Sequence, residues 1–168
     1  MRFAFPNYFL VESISGSHNP VARFVDEATP QRFEFSREEC SKMDDDSLRY
    51  TILHELGHWF RVNRVELRDI ESRIPEEGFL ILGTPNCEEG FADAFAAHFM
   101  NDGQLDAHYP RQRAFLAMMI SGREDEIEDR CVRMLELLKE QLRIERGRPV
   151  RSPLDRDALG VHLDRDRR

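Results

Sequence analysis

DSLRYTILHELGHWFRV, residues 46–62, is the stretch from which the rest of the chain is best read. Leu48, Ile52, Leu56 and Trp59 recur at spacings of four, four and three, which gathers them into one apolar stripe of an α-helix. Asp44, Asp45, Asp46 and Ser47 offer N-cap oxygens and negative charge for the positive end of that helix. The pattern predicts a helix over residues 46–62.

On the N-terminal side the chain reads as strands and turns. Arg2–Ile14 is rich in Phe, Tyr, Leu and Val, and Gly16 to Pro20 supplies turn residues. Arg23–Val25 suits a short second strand, and Gln31–Phe35 alternates polar and aromatic residues as a half-buried strand does. On the C-terminal side, Phe79–Leu82 reads as a buried strand between Gly and Pro residues. A second helix is predicted over 87–101, capped by Thr84 or Asn86, and a third from Pro110 to Gly122. The fourth, Glu124–Arg146, carries Ile127, Cys131, Met134, Leu138 and Leu142 on one side and ends at Gly147. Beyond residue 147 Arg and Asp alternate around two prolines, a tail expected to be poorly ordered. The expected organisation is one α+β domain over 1–147 and a charged tail over 148–168.

The bulk numbers fit that picture. A chain of 168 residues with 40% hydrophobic and 33% charged residues can bury one core. A net charge of −8 argues against nucleic acid as the main partner, because phosphate binding draws on clustered Lys and Arg. No run approaches the length of a membrane span, and the N-terminus lacks the apolar run of a cleavable signal peptide. Three cysteines are too few for a disulfide framework, so the expected location is the cytoplasm, or outside it by export without a cleavable signal.

His54-Glu55-Leu56-Gly57-His58 is an H-E-x-x-H motif on the first helix. Residues four apart share a helical face, so both imidazoles can hold one zinc ion at about 2.0–2.1 Å, leaving a position for water. Glu55 sits roughly 100° round from His54, beside that position, where its carboxylate can take a proton from the zinc-bound water. Two solvated or core histidines are the competing reading; the independently predicted helix favours the motif.

Residues 87–96, CEEGFADAFA, extend the motif. The pair of segments resembles the zincin metallopeptidases of the gluzincin type, in which H-E-x-x-H is followed by a helix bearing E-x-x-x-D. Glu89 to Phe95 looks most like the lethal-factor-type peptidase domain, and Glu89 to Ala96 also fits the related pattern of the ImmA/IrrE family. The resemblance covers residues 54–58 and 86–100. It implies a zincin-like fold, with a small N-terminal sheet over the H-E-x-x-H helix and a helical C-terminal part. It also implies one Zn²⁺ per chain, with Glu89 as third ligand beside His54 and His58 and with Asp93 hydrogen-bonded to a ligating histidine. Glu88 is the rival ligand, but its partner position, 92, is an alanine.

The activity implied is cleavage of a peptide bond in a specific protein substrate. The alternative is a catalytically inactive zincin-fold binding module. The lethal-factor pattern has a Tyr shortly before its Glu ligand, whereas Phe79 to Cys87 contains none. Tyr109 and His108 are the candidates for stabilising the oxyanion, with Tyr50 as a third. Gln31–Phe35 is the candidate edge strand for an extended substrate. His98, Trp59 and Phe60 are expected to be structural, Cys87 to be a half-buried free thiol, and Gly57 to mark close packing by another element.

Overall fold

A computed structural model describes residues 7–14, 20–63, 87–101 and 110–146. Among the described residues are three strands and five helices, an α+β arrangement. Strands β1 (Asn7–Val11), β2 (Ala22–Val25) and β3 (Arg32–Ser36) form one sheet in the order β1-β3-β2. β3 runs parallel to β1 and antiparallel to β2.

Side-chain alternation sorts the sheet into two faces. Phe33 lies opposite Tyr8 and Phe24, and Phe35 opposite Leu10 and Ala22. These residues belong to the core or pack against it, and both phenylalanines are fully buried. On the other face Glu34 accepts from Arg23 Nε and Nη2 at 2.8 and 2.7 Å and from Arg32 Nε at 2.8 Å. Burial opposes ionisation of Glu34, but the two guanidinium groups hold its carboxyl below the usual glutamate range.

The expectation that Gln31–Phe35 forms an edge strand is corrected here. β3 is the central strand, with its backbone paired on both sides, and among the described strands β2 lies at an edge. Alternating hydrophobicity reports a strand's buried face but not its place in the sheet.

Ser36 ends β3 and caps the short helix α1 (Arg37–Cys40), its Oγ accepting from Glu39 N at 3.3 Å. Asp44 caps α2 (Asp45–Asn63), with Oδ1 accepting from Ser47 N at 2.8 Å. Then come α3 (Cys87–Phe99), α4 (Pro110–Ile120) and α5 (Glu124–Arg146). The four longer helices fall where the sequence predicts them, within about two residues at each end. The stripe Ile127, Cys131, Met134, Leu138 and Leu142 is buried along its length. Trp59 and Phe60 are core residues, also as expected. The strand expected at Phe79–Leu82, the caps Thr84 and Asn86, and the charged tail lie outside the described residues.

α2 is the central element, packed against α3, α5 and β2. Its contact with α3 is unusually close at Gly57. A Cβ there would sit 2.9 Å from Ala92 Cα, 3.1 Å from Phe95 Cβ and 3.3 Å from Ala92 O. Gly57 costs the isolated helix about 1 kcal/mol relative to alanine, and the close approach of α3 explains its presence. Gly57→Ala is therefore expected to destabilise the protein by about 1–2 kcal/mol in urea denaturation, because overpacking against backbone outweighs the gain in helix propensity. A stabilised variant would contradict this packing.

Candidate metal centre

The α2–α3 contact brings together side chains from both helices. α2 presents His54, Glu55 and His58, and α3 presents Glu89 and Asp93. His54 Nε2 lies 3.1 Å from His58 Nε2 and 3.2 Å from Glu89 Oε2, and His58 Nε2 lies 3.5 Å from Glu89 Oε1. Ligand atoms about 2.0–2.1 Å from a tetrahedral zinc ion stand about 3.3 Å from one another. The spacing of the three groups thus fits a shared ion. Among the described residues His54, His58 and Glu89 form the one group with metal-binding geometry. Glu88 is not part of that group and accepts from Arg61 Nη1 at 2.8 Å.

Asp93 fixes the chemistry of His54. Its Oδ1 lies 2.9 Å from His54 Nδ1 and accepts the Tyr50 hydroxyl at 3.0 Å. A proton on Nδ1 leaves Nε2 with its lone pair facing the centre, the tautomer a metal requires. Burial opposes ionisation of Asp93, but the bonds from His54 and Tyr50 and the charge of His54 bring its pKa below the ordinary value.

The two histidines differ in charge preference without a metal. Burial pulls the His54 pKa down, but the Asp93 hydrogen bond and the charges of Glu55, Asp93 and Glu89 raise it overall. Burial and the neighbouring His54 charge lower that of His58, keeping its ring neutral and its lone pair available. Three carboxylates around two imidazoles make a donor set suited to a dication.

Glu55 is 6% exposed. Burial is the main cause of its pKa rising to about 7; Glu89 adds to the rise, while His54 and a hydrogen bond from the Phe24 backbone oppose it. Its Oε2 is buried and has no hydrogen-bond partner among the described residues. An unpartnered buried carboxylate oxygen beside three converging ligand atoms is costly in a purely structural role.

The cluster opens onto a cleft of about 520 Å³ whose walls also include Phe24, Asp26, Arg61, Val62 and Glu88. β2 therefore forms a rim of the site. The hydrogen bond from Phe24 to Glu55 carries no sequence signal, because it comes from the backbone.

Of the other sequence candidates, Tyr50 directs its hydroxyl to Asp93 and is not an oxyanion donor in this arrangement. His108 and Tyr109 lie outside the described residues, as does the side chain of Cys87. His98 packs edge-on against Phe99, 5.3 Å between ring centroids, and takes no part in the metal-binding group. Cys40 and Cys131 are buried, and burial pushes their thiols up to about 11 and about 12, which leaves them unreactive.

Comparison of the chain with protein-family models, with curated proteins and with solved structures found no match.

The raised pKa of Glu55 carries a consequence for stability. The unfolded chain releases this proton near 4.5 and the folded, metal-free chain near 7, so folding binds a proton between those values. Stability contributed by the neutral carboxyl is lost as pH rises through that window. Metal-free Glu55→Gln is expected to exceed the metal-free wild type in stability by on the order of 2–3 kcal/mol at pH 8, with the gap closing toward pH 4. Chemical denaturation in the presence of a chelator measures this; a gap that does not change with pH would contradict it.

Proposed function

We propose that the chain is a zinc-dependent endopeptidase with a zincin-like fold, cleaving a peptide bond in a protein substrate. The observation that carries this reading is the convergence of His54, His58 and Glu89 on one point, with a buried carboxylate oxygen of Glu55, Oε2, beside it and without a partner among the described residues. The resemblance of Glu89 to Ala96 to the gluzincin pattern, as written in lethal-factor-type and ImmA/IrrE-type peptidase domains, supports the same reading.

His54, His58 and Glu89 would hold the ion, and Asp93 would keep His54 in the binding tautomer. Zinc bound there supplies Lewis acidity toward a carbonyl oxygen and a water molecule. Glu55 takes the proton of the attacking water and returns it to the departing amine nitrogen. In the metal-free chain burial raises the proton affinity of Glu55, the direction that favours a proton acceptor. An extended peptide can add along β2, an edge among the described strands, which lines the cleft and runs beside Glu55. Among the described residues no helix is long and apolar enough to cross a membrane.

The test starts with elemental analysis of protein purified without a metal-affinity tag. About one zinc per chain is expected in the wild type, with zinc lost or sharply weakened in His58→Ala and Glu89→Ala. Zinc-loaded wild type, incubated with a complex protein mixture, should generate new N-termini. Glu55→Gln should keep its zinc and cut at least about 10²-fold more slowly. Zinc binding with no cleavage by the wild type would favour the inactive binding module, and absence of zinc after reconstitution would overturn both.

A further inference from the structure

We infer that Tyr50 is a positioning residue for the metal ligand His54, acting through Asp93. The inference rests on the metal-centre reading and assigns Tyr50 a role other than that of oxyanion donor.

Tyr50 precedes His54 by one helical turn, so both side chains rise from the same face of α2. Their rings lie 6.5 Å apart at an interplanar angle of 29°. Asp93 meets them from α3, and a single oxygen, Oδ1, takes both bonds: the Tyr50 hydroxyl at 3.0 Å and His54 Nδ1 at 2.9 Å. Asp93 has only 14% of its side chain exposed, so water offers little substitute for either donor.

An aspartate held by one donor alone can turn about its side-chain bonds. With a second donor one turn away on the same helix, its carboxylate is fixed in the direction that orients the imidazole. The Tyr50 ring is itself partly buried against the core, which gives the hydroxyl a firm base. The chain Tyr50–Asp93–His54 thereby ties two helices together through the atom that sets the histidine tautomer. Losing the hydroxyl would also leave Asp93 more basic and its bond to His54 stronger. Fixation is the larger effect here, because the bond to the ring works only while the carboxylate faces it.

The test is a double-mutant cycle read as zinc affinity, by competition with a chromophoric chelator. Tyr50→Phe keeps the ring and is expected to weaken zinc binding about threefold to tenfold. Asp93→Ala is expected to weaken it about 10–100-fold, the range for groups bonded directly to a metal-ligating histidine. Tyr50→Phe should then cost nothing further in the Asp93→Ala background, whereas general loosening of the helix would weaken both backgrounds equally. A second measurement needs no Asp93 variant: in nitrogen-15 histidine NMR of the zinc-loaded protein, the His54 Nδ1–H proton should exchange with water faster in Tyr50→Phe. Unchanged or tighter binding, an equal loss in both backgrounds, or unchanged exchange would overturn the role of Tyr50 while leaving the metal centre standing. A wild type that binds no zinc would overturn both.

Discussion

The backbone of α3 occupies the space that a side chain at position 57 of α2 would need. Gly57 lets Ala92 approach so closely that an added Cβ would meet Ala92 Cα at 2.9 Å. The candidate site depends on that approach. His54 and His58 flank Gly57 along α2, while Glu89 and Asp93 flank Ala92 along α3. With the helices further apart, the carboxylates of α3 would no longer reach the imidazoles of α2. The small side chains of Ala92, Ala94, Ala96 and Ala97, all buried, favour a close fit along α3. Phe91 and Phe95 fill the adjoining core, Phe95 tilted against Phe60 of α2 at 5.4 Å.

Close packing also creates the electrostatic problem that gives the site its character. Glu55, Glu89 and Asp93 share a small volume with two imidazoles, and Glu55 is almost entirely withdrawn from water. Without a cation the chain answers by holding protons: Glu55 stays protonated to about pH 7, and His54 binds a proton more tightly than a free imidazole. A divalent ion offers the same relief at a single point, with ligand atoms already near the spacing it needs. Burial, proton affinity and metal affinity are thus expressions of one crowded arrangement.

Much of this was legible in the sequence. The helix bearing the motif and the stripe of α5 declare themselves through periodicity, and Gly57 inside a helix points to close packing by another element. Spacing favours Glu89 over Glu88, because only Glu89 has an acidic residue four positions on, on the same helix face. Sheet order was not legible: Gln31–Phe35 shows the alternation of a half-buried strand, and nothing in it says that β3 has neighbours on both sides. Helix α1 was missed although Ser36 and Glu39 form a recognisable cap signature, because four residues give no periodicity to detect. The bond of Tyr50 to Asp93 joins residues 43 apart in sequence, and the Phe24 contact to Glu55 uses backbone alone. Neither leaves a mark in residue spacing.

One zinc ion shared by two histidines of α2 and a glutamate of α3 would be read out at the metal itself by X-ray absorption at the zinc edge. The chain would be loaded with one equivalent of metal. Four or five light ligands at about 2.0–2.1 Å are expected, with multiple scattering from two imidazoles and loss of one imidazole in His58→Ala. A sulfur shell at about 2.3 Å, or a shell of oxygens without imidazole scattering, would contradict it.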